Sequence, residues 1–182
     1  MGAFTTSSLA CQLADRIAAV APVAGLQDFA WCDPSRPVPV IAFHGTNDEI
    51  LSYSGGIGPR GMLLPAVDGS PRTIGQQLND PSSRPRHLPN ANSVPTQTAG
   101  WAQRNECHTR PRVERVQRAV SRTTYDCPAG SEVELYTLHG GGHNWPGGDP
   151  LLAVTPLTGP IATLDATALI WEFFSRHRLP TR

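Results

Sequence analysis

The chain has 182 residues, enough for one domain with a real core. Hydrophobic residues make up 39% and charged residues 16%, while 17 glycines and 18 prolines imply many loops. A net charge of zero gives no basic field for nucleic acid or an anionic membrane, and no stretch approaches the roughly 20 apolar residues of a membrane span.

Residues 3–17, AFTTSSLACQLADRI, read as a helix, with small residues on a packed face and Leu9, Leu13 and Ile17 at i, i+4 and i+8. IAAVAPVAG (17–25) and PVPVIAFHGTND (37–48) follow as short apolar runs, the strand signature of a sheet covered on both faces. The segment 54–92 is rich in Gly, Pro, Ser and Asn without a sustained period and reads as a long loop excursion. A helix is expected from near Ser93 to just before Cys107, and then an Arg-rich excursion over 107–127 bracketed by cysteines. EVELYTLHGGGH (132–143) is a third strand running into a loop. The last element, LDATALIWEFFSRHRLP, is a helix capped by Asp165, with Leu169, Ile170, Phe173 and Phe174 on one stripe and Pro180 after its stop. About three parallel strands with flanking helices make this an α/β fold.

Four cysteines, Cys11, Cys32, Cys107 and Cys127, include no C-x-x-C pair, so an even count in a loop-rich chain favours two disulfides and an oxidising compartment. The N-terminus nevertheless lacks the basic n-region of an export signal.

Functional residues of open α/β sheets sit on loops at the carboxyl ends of strands. Two loops qualify: FHGTNDEILSY, carrying Asp48, and GGGHNWPGG, carrying His143. His143 is a base, a metal ligand with His139, or a residue of an ordinary turn. The H-x-x-x-H spacing suits a metal on a helix, but three intervening glycines argue against one and no third ligand is evident, so neither metal nor cofactor is expected. An acid and then a histidine, each just past a strand, is the later part of the Ser…Asp…His order. In that order the carboxylate fixes the imidazole tautomer and the imidazole shuttles the proton. His44 is assigned to loop ordering.

LADRIAAVAPVAG, RPVPVIAFHGTNDEILSYSGG, WAQRNEC and YTLHGGGHNWPGG, followed by DATALIWEFFSRHR, resemble the secreted polyhydroxybutyrate depolymerase and feruloyl esterase family of α/β-hydrolase esterases. The resemblance implies that Asp48 and His143 complete a catalytic triad and that the disulfides are Cys11–Cys32 and Cys107–Cys127. It also places the family's G-x-S-x-G elbow at the start of the first helix, with the serine one position before Met1 and the Met1 backbone N–H as oxyanion donor. On this reading residues 1–182 are the C-terminal portion of a larger extracellular esterase, a partial α/β-hydrolase domain whose export signal lies upstream. The strand near 18–24 would then leave an open edge prone to self-association. Ester substrates of polyhydroxyalkanoate or plant cell-wall type are implied. The alternative is a non-catalytic half-fold that binds a polymer or glycan through Trp31 and Trp145.

Overall fold

The protein is described by a computed structural model covering residues 2–83, 85, 88–149 and 158–179; Met1 and Pro180, both singled out in the sequence, lie outside the described residues. The described elements are α1 (Gly2–Gln12), β1 (Val40–Gly45), a 3₁₀ turn (Gly61–Leu63), α2 (Ile74–Leu78), α3 (Val94–Arg104), β2 (Arg112–Gln117), β3 (Val120–Thr124), β4 (Val133–Leu138) and α4 (Ala166–Arg176). The strands form one mixed sheet in the order β1-β4-β3-β2. β1 and β4 run parallel, from Val40↔Val133 to Gly45↔Leu138. β3 is antiparallel to both β4 and β2.

β1 and β4 are buried along their whole length; β1 reads as a near-continuous apolar run, whereas β4, VELYTL, alternates and buries Glu134 and Thr137 as well. The pleat sends alternate residues to opposite faces. Val40, Ala42, Val133 and Leu135 pack with Ala10 and Ala14 near α1 and with Val94, Trp101 and Ala102 of α3. Ile41, Phe43, Tyr136 and Leu138 pack on the other face with Ala166 and Phe173 of α4. Burying a side chain the size of Phe43 or Phe173 contributes about 2–3 kcal/mol. Helices therefore cover both faces. Ser93 and Asp165 cap α3 and α4, accepting from the N–H groups of Thr96 and Ala168, as the sequence anticipates.

Four expectations are modified. First, two strands of the sheet run parallel rather than about three. Residues 20–24 lie alongside β1 through single parallel bridges, Val20↔Val40 and Val23↔Phe43, instead of a regular ladder. Pro22 has no N–H to give the ladder, and Ala24 turns out of it at φ 53°. Second, α1 ends at Gln12 rather than at 17, and Leu9 is exposed while Ser7, Ala10 and Cys11 are buried. The Arg36 guanidinium donates to the carbonyls of Ala14 and Ile17, which stabilises the chain once it has left the helix. Third, the cysteine-bracketed excursion contains the β2–β3 hairpin, whose first strand, RVERVQ, is exposed along nearly its whole length and carries no apolar alternation to mark it. Fourth, residues 54–92 hold the 3₁₀ turn and α2. The latter starts with a Thr73–Gln76 capping box, a signal present in T-x-x-Q.

Both disulfides implied by the family resemblance are formed, Cys11–Cys32 and Cys107–Cys127, closing separations of 21 and 20 residues. In the chain-entropy description each contributes roughly 3 kcal/mol. The second one clamps the base of the hairpin.

The end of the sheet away from the strand carboxyl termini is tied by one buried side chain. Asn105, just past α3, accepts from the Val38 N–H (3.3 Å) and donates to the carbonyls of Val38 (2.8 Å) and Ser131 (2.9 Å). It thereby holds the chain ahead of β1 and of β4 to the end of α3. Asn105→Ala leaves these groups buried without partners, and a loss of about 3 kcal/mol in urea-unfolding free energy is expected. An unchanged midpoint would show that the tie is not holding the sheet.

Candidate active site

Because β1 and β4 are adjacent and parallel, their carboxyl ends lie side by side and the two following loops emerge together. Three hydrogen bonds zip these loops. Thr46 N–H donates to Leu138 O (2.9 Å) and Asn47 N–H to Gly141 O (2.9 Å). Gly140 N–H donates to Thr46 Oγ1 (2.9 Å), while His139 N–H donates to Ala119 O (2.8 Å) in the turn between β2 and β3. The approach is so close that a Cβ at position 45 would lie 2.1 Å from Gly141 O, and one at 142 would lie 2.1 Å from Thr158 O. The glycines thus have a packing reason: the two backbones touch where a side chain would stand.

The zip brings Asp48 and His143 together. Asp48 Oδ2 accepts from His143 Nδ1 at 2.8 Å. Its other oxygen, Oδ1, accepts from the N–H groups of Ile50 and Leu51, each at 2.9 Å, in an Asx-type turn. A second histidine completes the carboxylate's shell. His44 Nε2 lies 3.3 Å from Asp48 Oδ2 and 2.9 Å from Leu51 O. A carbonyl only accepts, so His44 carries its proton on Nε2 and is committed to ordering the loop. Its ring stands edge-on to Tyr53, whose hydroxyl is hydrogen-bonded to Thr137.

The Asp48 side chain has no solvent exposure. Burial raises its pKa, but hydrogen bonds and charge from His143 and His44 more than offset this and hold the carboxyl well below the usual carboxylate range. With His143 Nδ1–H committed to this carboxylate, Nε2 is the nitrogen left for proton transfer.

The loop bearing His143 is anchored from behind as well. His143 N–H donates to Thr158 O (2.6 Å), and Asn144 Nδ2 donates to the carbonyls of Thr158 (3.1 Å) and Gly159 (2.7 Å). His143 borders a cavity of about 360 Å³ whose walls include Gly2 and Phe4 of α1, Val23, Leu51 and Trp145. The first turn of α1 therefore faces the imidazole across a ligand-sized space. Neither serine of α1, Ser7 or Ser8, lines this cavity. Ser7 is fully buried, donating to Ala3 O and accepting from Gln27 N–H, and Ser8 accepts from Gln12.

His139 is not brought to His143. Its ring bonds to Ser121 Oγ (2.8 Å) and it lines a different cavity with Arg118 and Ile161. Trp145 stands at the rim of the His143 cavity, its indole N–H bonded to Thr167 Oγ1 (3.0 Å). Sequence reasoning did not assign the Ile50 and Leu51 amides, the contact of His44 with Asp48 or the Asn144 clamp. The Asx turn was legible in NDEIL; the other two needed the loops in place.

No family model matches the chain. It is similar to feruloyl esterase B of Piromyces equi, 31% identical over 148 residues, which is 79% of this chain and 23% of that protein. It is also similar to the bifunctional acetylxylan esterase/xylanase XynS20E of Neocallimastix patriciarum, 43% identical over 53 residues, 29% of this chain and 8% of that protein. The chain thus spans less than a quarter of the length of these curated relatives, and both carry an esterase name.

The depressed pKa of Asp48 has a stability consequence. A carboxyl whose folded pKa lies below its unfolded value of about 3.9 contributes stability that is complete above that value and drains away as pH falls beneath it. Asp48→Asn removes this term, so the variant is expected to be less stable than the parent at pH 7 and to lose less on going from pH 6 to pH 3. Urea midpoints across that range test it; parallel curves for parent and variant would refute the assignment.

Proposed function

We propose that this chain supplies the acid and the histidine of a Ser–Asp–His carboxylesterase site within an α/β-hydrolase fold, as the C-terminal portion of a larger extracellular enzyme. The observation that carries the reading is the 2.8 Å bond from His143 Nδ1 to a buried, ionised Asp48, beside a cavity walled by the first turn of α1. In this reading the nucleophilic serine directly precedes Met1, at the elbow leading into α1. Its Oγ attacks the ester carbonyl as His143 Nε2 takes the hydroxyl proton. The same imidazolium then protonates the leaving alkoxide, and a water repeats the sequence on the acyl-enzyme. Asp48 stabilises the imidazolium throughout. The backbone N–H at Met1 is the oxyanion donor beside the nucleophile.

Both relatives are named for plant cell-wall esters, feruloyl and acetylxylan, which favours that substrate class over polyhydroxyalkanoate. Two disulfides suit an oxidising, extracellular setting. The non-catalytic alternative leaves the shaping of the Asp48–His143 pair without a purpose.

Turnover of a p-nitrophenyl ester is the direct test. A chain extended upstream through the serine is expected to be active, and His143→Ala to reduce kcat by at least about 10³-fold. The 182-residue chain is expected to be inactive. If it turns over, and His143→Ala abolishes that turnover, the nucleophile lies within the 182 residues and the reading of the elbow is overturned.

The proposed position of the missing strand carries a second expectation. The N–H and carbonyl of Val20, the carbonyl of Pro22 and the N–H of Ala24 are bonded on the β1 side, which directs the backbone groups of Ala19, Ala21 and Val23 to the opposite side. A neighbouring strand in the longer protein would cover that edge. Sedimentation is therefore expected to show concentration-dependent association of the 182-residue chain, reduced in the extended chain; a monodisperse monomer would count against it.

A further inference from the structure

Trp31 is 45% exposed, yet it is among the most firmly held exposed side chains of the molecule. Its neighbour Cys32 is bonded to Cys11 of α1, and Cys32 N–H closes a turn onto Phe29 O (3.0 Å). Arg104 grips the same turn from α3, donating to the carbonyls of Cys32 (3.0 Å) and Phe29 (3.3 Å) and pairing with Asp28 (2.6 Å). One face of the indole is stacked on Phe29, with ring centroids 4.8 Å apart and planes 14° from parallel. Phe29 in turn meets Phe4 at 6.3 Å, and Phe4 is a wall of the His143 cavity. Three aromatic rings thus make a chain of pairwise contacts from a wall of the cavity to an exposed indole. Trp145 stands at the cavity itself.

A lone exposed aromatic needs no explanation. A chain of ring contacts that begins at the His143 cavity, with its outer member on a turn clamped by a disulfide and an arginine, does. We infer that Phe4, Phe29 and Trp31 form a sugar-binding track, with Trp31 as the outer platform for a pyranose ring of the polysaccharide bearing the ester. The inference rests on the ester-hydrolase reading and adds to it where the polymer lies.

The choice of occupant follows from the shape of the platform. An aromatic face is electron-rich and attracts the polarised C–H bonds on the flat side of a pyranose. The sugar hydroxyls point outward around the ring, and an open platform leaves them in water at no desolvation cost. An aliphatic polyester chain has no polar rim and gains most from a trough that removes water on both sides, which a half-exposed indole does not provide. The stacked Phe29 keeps the indole plane fixed, so little ordering entropy is lost on binding.

The test is binding of linear β-1,4-xylohexaose to the 182-residue protein, followed by the indole N–H resonances in NMR and by titration calorimetry, with a 3-hydroxybutyrate trimer as comparator. The sugar is expected to shift the Trp31 resonance. Trp31→Ala should weaken binding roughly 3- to 10-fold, and Trp31→Phe should retain most of the affinity. Absence of sugar binding, an unchanged Kd in Trp31→Ala, a shift confined to Trp145, or a Trp31 shift given by the trimer and not by the sugar would each overturn the track. Binding is read without turnover, so its failure leaves the ester-hydrolysis reading to be decided by its own assay.

Discussion

The candidate site depends on one close approach of backbone to backbone. Gly45 and Gly141 meet where a single methyl group would collide with a carbonyl oxygen. That contact exists because β1 and β4 are parallel neighbours that end in register, Gly45 opposite Leu138. A parallel pair delivers both following loops to the same edge of the sheet, whereas an antiparallel pair would send them to opposite ends. The glycines let the two loops close to hydrogen-bonding distance, and Asp48 and His143, three and five residues past the two strand ends, then meet at 2.8 Å.

The electrostatics follow from that closure. A carboxylate with no solvent exposure is costly to ionise unless its lone pairs are satisfied. Asp48 meets the requirement with two backbone amides on one oxygen and two imidazoles on the other. His44 is thus more than a loop residue. It shares the oxygen that His143 uses and lowers the cost of keeping that oxygen charged before any imidazolium forms. An imidazole held this way is pre-organised: its tautomer, orientation and counter-charge are set by the fold.

How much of this was legible in the sequence depended on whether a signal was local. β1 was readable as an apolar run, β4 from the alternation in VELYTL, and α3 and α4 because Ser93 and Asp165 stand at helix starts. Asp48 and His143 were readable because loop chemistry follows strand ends. The β2–β3 hairpin was not, since an edge strand exposed on both faces carries arginines at positions where periodicity looks for apolar residues. The early end of α1 was hidden because the side chain that holds the chain just beyond it, Arg36 on the carbonyls of Ala14 and Ile17, lies some twenty residues on. The segment alongside β1 looked like a strand by composition, and Pro22 was the one residue that argued for a broken ladder.

The two ends of the sheet are built for different ends of the problem. At the amino ends of β1 and β4, Asn105 and the Cys107–Cys127 disulfide lock the chain with buried, fully paired polar groups and a covalent bond. At the carboxyl ends, the locking is done by glycine contacts and by Asn144, which binds returning carbonyls rather than filling space. A side-chain lock there would occupy the volume that a reacting group needs. Backbone-to-backbone closure keeps the imidazole fixed while the 360 Å³ beside it stays open, and the wall facing it is the start of a helix, where backbone N–H groups have no partners within the helix itself.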